Sequence, residues 1–192
     1  GDVTGGKADG DGNADNNDVN VNAPAKVDKD VTGGDTSGGT GHANENDIII
    51  GGDPNYPAAG PVIGGDVTGG KADEGDANKN DVTIKPPAVI GDPNDPDNGK
   101  GNVTGGESTH GDTNDNNVII GDPDKPFDSY DPIYDPTNPD SLMPKITGDV
   151  TGGKTEDGDS NGNNVDVYAP TYIHGDVTGG KADGDGNADN ND

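Results

Sequence analysis

Cysteine, tryptophan and arginine are absent from these 192 residues, and phenylalanine and methionine occur once each. Without cysteine there is no disulfide framework, although that absence leaves the compartment open. With aromatics at 3% and hydrophobic residues at 24%, an ordinary globular core cannot be assembled. The 11 basic residues are all Lys and face 38 acidic ones, for a net charge of -27. Phosphate contacts need clustered Lys and Arg, so this balance argues against nucleic-acid binding. No apolar run approaches the roughly 18 residues of a membrane span, so no membrane insertion is expected in this segment. No stretch carries the 3.6-residue period of a helix. Taken alone, this composition and a mean hydropathy of -0.94 describe a disordered acidic polymer of the mineral-associated kind.

Repetition argues otherwise. Gly-Asp-Val-Thr-Gly-Gly begins at Gly1 and returns unchanged at Gly65, Gly148 and Gly175. It returns with one change at Lys29 and at Gly101. A second phrase follows the first five copies, at Asn17, Asn46, Asn80, Asn116 and Asn163, each leading into Val or Ile. The step from the motif valine to the second-phrase Val or Ile is nearly constant: Val3 to Val19, Val31 to Ile48, Val67 to Val82, Val103 to Val118 and Val150 to Val165. Residues 175–192 copy residues 1–18 letter for letter, which sets a larger period. The chain therefore reads as a window on a tandem array. Residues 1–174 form one large repeat, with coils starting near 1, 29, 65, 101 and 148, and 175–192 open the next.

Local patterning supplies the fold. Ile63, Gly65, Val67 and Gly69 share one parity and Asp66, Thr68 and Gly70 the other, which predicts one strand with an apolar inner face. Asp76, Asn78, Asn80, Val82 and Ile84 likewise fall on one side of a second alternating stretch. Pro-rich breaks at 23–24, 86–87 and 169–170 end the coils. Gly-Asp-Pro-rich insertions at 51–61, 91–100 and 121–145 follow the second phrase and should project from one edge. The longest holds Phe127, Tyr130, Tyr134, Leu142 and Met143, and serves either as a contact patch or as a lid on the stack. The expected fold is all-β: a thin β-solenoid (β-helix) of about five coils per 174-residue repeat, with rows of Val and Ile inside and Asn ladders satisfying polar groups.

Gly-Asp-Val-Thr-Gly-Gly, a Gly-Asp-x-Asn-x-Asn stretch and a Val-x-Ile phrase together resemble the β-solenoid repeats of bacterial surface adhesins and autotransporter passenger regions. Those repeats commonly carry Tyr where this chain has Thr4, Thr68, Thr104, Thr151 and Thr178. The resemblance covers the repeats and not the Pro-rich insertions. It implies an elongated, extracellular, non-enzymatic protein of a microbial cell surface, and no catalytic residue carries over.

Three groups of residues are candidate sites. Asp9, Asp11, Asn13 and Asp15, with Asp76 and Asn78 in a later coil, present alternating oxygens suited to Ca²⁺. They depart from an EF-hand loop, with Ala14 where the Gly belongs and Asn20 where the bidentate Glu belongs. Stacked Asp2, Asp30, Asp66, Asp149 and Asp176 would repel by about 0.9 kcal/mol per neighbour at about 4.8 Å even at water's dielectric. Cations, staggering or hydration would each relieve this. Thr4, Thr32, Thr68, Thr104, Thr151 and Thr178 form an outward row that either carries O-linked glycans or packs on itself as good β residues. Asn102 opens the one N-glycosylation sequon, Asn102-Val103-Thr104. His42, His110 and His174 lack the spacing of a zinc site, and the carboxylates repeat with the coil, so no catalytic role is expected. The expected role is a structural subunit of an extracellular fibre, sheath or adhesin stalk that self-associates. The competing role is a calcium-dependent adhesive module acting through 121–145.

Overall fold

The computed structural model describes residues 1–51, 60–123, 143–168 and 170–192. Its strands form three sheets, all of them parallel. The first sheet joins β1 (Val3–Lys7), β4 (Val31–Thr36), β7 (Val67–Ala72), β10 (Val103–Ser108), β13 (Val150–Thr155) and β16 (Val177–Ala182), in that order. The second joins β2 (Asp18–Asn22), β5 (Asp47–Gly51), β8 (Asp81–Ile84), β11 (Asn117–Ile120) and β14 (Asn164–Val167). The third joins the two-residue strands β3 (Lys26–Val27), β6 (Val62–Ile63), β9 (Val89–Ile90), β12 (Lys145–Ile146) and β15 (Tyr172–Ile173). The chain visits the three sheets in rotation, and every neighbour in a sheet comes from the adjacent pass. Among the described residues the one helical element is a 3₁₀ turn, Pro96–Asn98.

Register follows the repeat. Val3 pairs with Val31, Val31 with Val67, Val67 with Val103, Val103 with Val150 and Val150 with Val177. Like residues therefore stack in columns, and four apolar columns make the core. They run through Val31, Val67, Val103 and Val150; Val19, Ile48, Val82 and Val118; Val21, Ile50, Ile84 and Ile120; and Val27, Ile63, Ile90 and Ile146. Each of these buried Val and Ile side chains stabilises the fold by about 1.5–3 kcal/mol relative to exposure. That is why so few apolar residues suffice. A second, smaller cluster of Ala43, Ala72 and Ala77 fills the tighter corner between the first and second sheets.

Two expectations change. The alternation from Ile63 to Gly70 is not one strand: Ile63 ends β6 in the third sheet and Val67 begins β7 in the first. Gly64, Gly65 and Asp66 form the corner between them. A corner of odd length leaves Ile63 and Val67 on one parity, so the period-two pattern survives the bend. The insertions also do not share one edge. Residues 51–61 and 121–145 connect the second sheet to the third, whereas 91–100 follow β9 and connect the third sheet to the first. There Gly91 and Gly101 sit back to back at φ 85° and 87°, closing the neck of the loop. The Thr147 hydroxyl donates to the Lys100 carbonyl at 3.0 Å across that neck. Phe127, Tyr130, Tyr134 and Leu142 lie outside the described residues.

Candidate functional site

The chemistry-bearing side chains of this chain are organised as columns that run from pass to pass. The deepest is Asn17, Asn46, Asn80, Asn116, Asn163 and Asn191. The Asn46 side-chain oxygen accepts the backbone N–H and the side-chain amide of Asn17, at 3.0 and 2.8 Å. Asn80 does the same for Asn46, Asn116 for Asn80, Asn163 for Asn116 and Asn191 for Asn163, at 2.9–3.1 Å. Asn46, Asn80, Asn116 and Asn163 are fully buried. A buried amide without partners would cost about 1–3 kcal/mol, and here each rung supplies the one before it with an acceptor.

The Gly-Gly of the motif makes this column fit. A Cβ on Gly70 would lie 2.6 Å from the Asn80 amide nitrogen, and one on Gly106 or Gly153 would lie 2.6 Å from that of Asn116 or Asn163. Any side chain at the second glycine would displace the Asn ladder. The two phrases of the repeat are thus the two halves of one contact.

Three further columns run with the opposite polarity, each side chain accepting the backbone N–H of the following pass. Asp30 accepts from Asp66, Asp66 from Asn102, Asn102 from Asp149 and Asp149 from Asp176, at 2.9–3.0 Å, with a longer 3.4 Å bond from Asp30 to Asp2. Asn13 accepts from His42, His42 Nδ1 from Asp76, Asp76 from Asp112, Asp112 from Asp159 and Asp159 from Asn187. Asp15 accepts from Asn44, Asn44 from Asn78, Asn78 from Asn114, Asn114 from Asn161 and Asn161 from Asp189. The first of these columns answers the repulsion expected along the Asp2 row. Backbone N–H groups meet the carboxylates, and the neutral Asn102 interrupts the charges.

The candidate calcium ligands are distributed among these columns and do not converge. Asn13 and Asp15 flank Ala14 and are joined by a 3.0 Å bond from the Asn13 amide to Asp15, and both point an oxygen at the following pass. Asp11 accepts the Thr40 hydroxyl at 3.0 Å, and Asp9 is exposed on the turn. Asp76 and Asn78 lie two passes further along and hold Asp112 and Asn114. Among the described residues no three His, Cys, Asp or Glu side chains are gathered as a metal site. A calcium ion at Asn13, Asp15, Asp76 or Asn78 would compete with backbone N–H groups for its oxygens, and one at Asp11 with the Thr40 hydroxyl.

One expected face is corrected. Asp76, Asn78 and Asn80 do not share a side: Ala77 and Asn80 are fully buried, and Asp76 and Asn78 are half-buried. Lys79, between Asn78 and Asn80, has φ 56°, and this left-handed residue reverses the parity. Asn16, Glu45, Asp115 and Asn190 occupy the same place with φ of 54–57°, and Gly162 with φ 64°.

The Thr column is real as a register, with Thr4, Thr32, Thr68, Thr104, Thr151 and Thr178 paired in sequence. Its hydroxyls are unequally open: Thr4 is exposed, Thr68 is buried, and the other four lie between. Asn102 is embedded in the Asp column, its amide donating to Asp66 at 3.2 Å and its oxygen held by Asp149. A glycan on that nitrogen would have to be built around both contacts.

Two charged columns escape a reading of the sequence alone. Lys7, Asp35, Lys71, Glu107, Lys154 and Lys181 stack in register, so charges alternate over the first five passes. Lys7 meets Asp35 at 3.2 Å, and Glu107 lies 3.7 Å from both Lys71 and Lys154. Burial pushes the Asp35 carboxyl up, but the Ser37 hydroxyl and N–H together with Lys7 outweigh it and hold it below its ordinary value. Asp18, Asp47 and Asp81 are the contrary case, stacked in register without a cation between them. Burial raises Asp47 and Asp81, and the neighbouring carboxylate raises each further, from Asp18 and from Asp47 respectively. Aligning the passes on their Val and Asn positions brings out both columns.

No protein-family model matches the chain, no curated protein is significantly similar to it, and no solved structure matches it.

Proposed function

We propose that the chain is a β-solenoid and that it serves as a structural subunit of an extracellular fibre, sheath or adhesin stalk on a microbial cell. One observation carries this reading. Pass six, which repeats the sequence of pass one, adds to pass five with the same contacts that join passes within the repeat. Val177 pairs with Val150, Asp176 donates to Asp149, and Asn163 donates to Asn191. A second repeat thus continues all three kinds of column: apolar, amide and carboxylate. Stability in such an array is a sum over passes and their neighbour contacts, so length can grow without a larger core. The side chains that would otherwise invite a catalytic reading are engaged as rungs, which supports a structural role. The acidic exterior opposes sideways association of sheets.

Electron cryomicroscopy or fibre diffraction of the native assembly tests this. Strand spacing near 4.8 Å along the axis and a repeat of about 24 Å, for five passes per large repeat, are the expected outcome. Discrete particles without axial strand spacing would overturn it.

A further inference from the structure

Two asparagines of the chain are followed by glycine, in Asn98-Gly99 and in Asn161-Gly162. That pairing carries a chemistry of its own. The backbone nitrogen after an asparagine can attack the asparagine's side-chain carbonyl carbon, and only glycine leaves that approach free of a Cβ. Every other asparagine here precedes a residue with a side chain. The fold treats the two pairs in opposite ways.

Asn161 is a rung of a column. Its side-chain oxygen accepts the Asp189 N–H at 2.6 Å, and its own N–H donates to the Asn114 side chain at 2.8 Å. The nucleophile is engaged as well, since the Gly162 N–H donates to the Asp189 carbonyl at 3.0 Å. Bringing the Gly162 nitrogen onto the Asn161 side chain means breaking both bonds to the following pass.

Asn98 stands outside the columns, at the end of the 3₁₀ turn Pro96–Asn98 in the insertion 91–100. No residue of that turn is buried, and Asn98 and Gly99 are both exposed. The Asn98 N–H makes a long bond to the Asp95 carbonyl, 3.3 Å, and the Asn98 side-chain oxygen accepts the Lys100 N–H at 2.9 Å. Among the described residues, the attacking Gly99 N–H and the departing Asn98 amide nitrogen have no hydrogen-bond partner. Space is open around Gly99, where even a Cβ would meet nothing within 4 Å. A segment with so few bonds and no buried contact opens at little cost.

We infer that Asn98 is a self-modification site, which passes through a cyclic imide with Gly99 to a mixture of isoaspartate and aspartate, while the column protects Asn161. The Gly99 nitrogen loses its proton to a base in the solvent and forms a bond to Asn98 Cγ. The Cγ–Nδ2 bond breaks, and the side-chain nitrogen takes up a proton from water and leaves as ammonia. Water then opens the ring. Attack at Cγ gives aspartate, and attack at the main-chain carbonyl gives isoaspartate, with the backbone rerouted through Cγ. Either product adds a negative charge beside Asp95 and Asp97, and isoaspartate lengthens the loop backbone by one methylene. The change falls next to the neck, where the Thr147 hydroxyl donates to the Lys100 carbonyl. Loss of ammonia makes the reaction one-way, so its extent records how long the folded chain has existed.

The test incubates the full 192-residue chain at mildly alkaline pH, folded and in parallel in urea. Peptide mapping by mass spectrometry follows both asparagines through the mass gained when an amide becomes an acid. In the folded chain Asn98 should convert about tenfold or more faster than Asn161, the factor that two broken hydrogen bonds impose on local opening. In urea the two should convert at similar rates. Isoaspartate and aspartate should both appear at position 98, and faster as pH rises, because the attacking nitrogen must lose its proton. Gly99→Ala should slow conversion at position 98 and leave the β circular dichroism unchanged. Equal rates at the two asparagines in the folded chain would overturn protection by the column. An Asn98 as inert as Asn161 in the folded chain, with both reacting in urea, would overturn the site. Aspartate alone at position 98 would overturn the cyclic imide in favour of direct hydrolysis.

Discussion

The side-chain oxygen of Asn80 accepts two hydrogen bonds from Asn46, one from its backbone N–H and one from its amide, both at 3.0 Å. Gly70 lies against the Asn80 amide with no room for a Cβ. Asn80→Ala would strand two buried donors on Asn46. It would also remove one of the two hydrogen bonds that the Asn116 oxygen accepts, the backbone N–H of residue 80 keeping the other. The loss is about 2–4 kcal/mol by the cost of unsatisfied buried groups. Gly70→Ala should cost about 1–3 kcal/mol through overpacking. The two costs should be less than additive when combined, because the Asn80 amide, one of the two groups that a Gly70 Cβ strikes, is already gone, while the Ala43 carbonyl that it also strikes remains. Urea unfolding of the two single variants and the double variant measures this coupling. Additive costs would mean that the glycine makes room for the Ala43 carbonyl and not for the ladder.

The acidic columns predict opposite responses to pH. Asp81 has a folded-state pKa raised above its ordinary value of 3.8, so the charged folded form is penalised. Between 3.8 and the raised value the folded state holds more protons than the unfolded, and stability falls as pH rises through that window. Asp81→Asn should therefore raise the melting temperature at neutral pH, in keeping with the Asn already present at the same register position, Asn117. The gain should fade as pH falls below 3.8, where the wild-type carboxyl becomes neutral in both states. Asp35 runs the other way. Its lowered pKa contributes stability that is present above 3.8 and lost as pH falls through the lowered value, so Asp35→Asn should destabilise most at neutral pH. Thermal melts of both variants across that range check the signs. A gain for Asp81→Asn that is independent of pH would refute the electrostatic cause.

Lys79 holds φ 56° in the place where Gly162, two passes on, holds φ 64°. A left-handed conformation costs an ordinary side chain roughly 1–2 kcal/mol, and glycine adopts it without that penalty. Lys79→Gly should stabilise by about 0.5–1 kcal/mol once the extra chain entropy of glycine is deducted. Equilibrium unfolding measures it, with Lys71→Gly, in the strand β7, as the destabilising control.

The same residue marks the limit of what the letters reveal. Apolar columns, Asn ladders and the absence of helix are legible because Val19, Asn80 and their counterparts recur at near-constant spacing. The inward face before Asn80 is not, since Lys79 and Glu45 are not residues expected in left-handed backbone, and the reversal shows only when they are aligned with Asn16, Asp115, Gly162 and Asn190, which are. The corner at 64–66 is hidden for a related reason: its length preserves parity. The insertion at 91–100 departs from the pattern because it separates Ile90 from Val103, whereas only the short corner 64–66 separates Ile63 from Val67. Pairing Val89-Ile90 with Val62-Ile63 puts the loop at the right corner. The candidate ligands look like a cluster because alternation in sequence resembles convergence in space. In a stack, alternating residues become separate columns, and their oxygens are directed along the axis.

Thr113 carries the one buried side-chain polar atom without a hydrogen-bond partner among the described residues, its hydroxyl oxygen. It stands in the column of Ala14, Ala43, Ala77 and Ser160: Ala77 on one side offers that hydroxyl nothing, and the Ser160 hydroxyl on the other donates to the Gly153 carbonyl and accepts from the Asn163 amide. Replacing a stranded hydroxyl by a methyl of the same shape removes a desolvation penalty without opening a cavity. Thr113→Val should accordingly stabilise the chain by about 1 kcal/mol. Ser108, on β10, is also buried but satisfied: its hydroxyl donates to the Gly75 carbonyl at 2.8 Å and accepts the Gly111 N–H at 2.9 Å. Ser108→Ala leaves both backbone groups unpaired in the interior and should cost about 1–3 kcal/mol, even though Ala72 fills the same register position one pass earlier. The two substitutions remove the same chemical group from the same corner of the fold, so their opposite signs in chemical denaturation isolate hydrogen bonding from packing. A loss of stability in Thr113→Val comparable to that in Ser108→Ala would mean that the Thr113 hydroxyl is satisfied in solution.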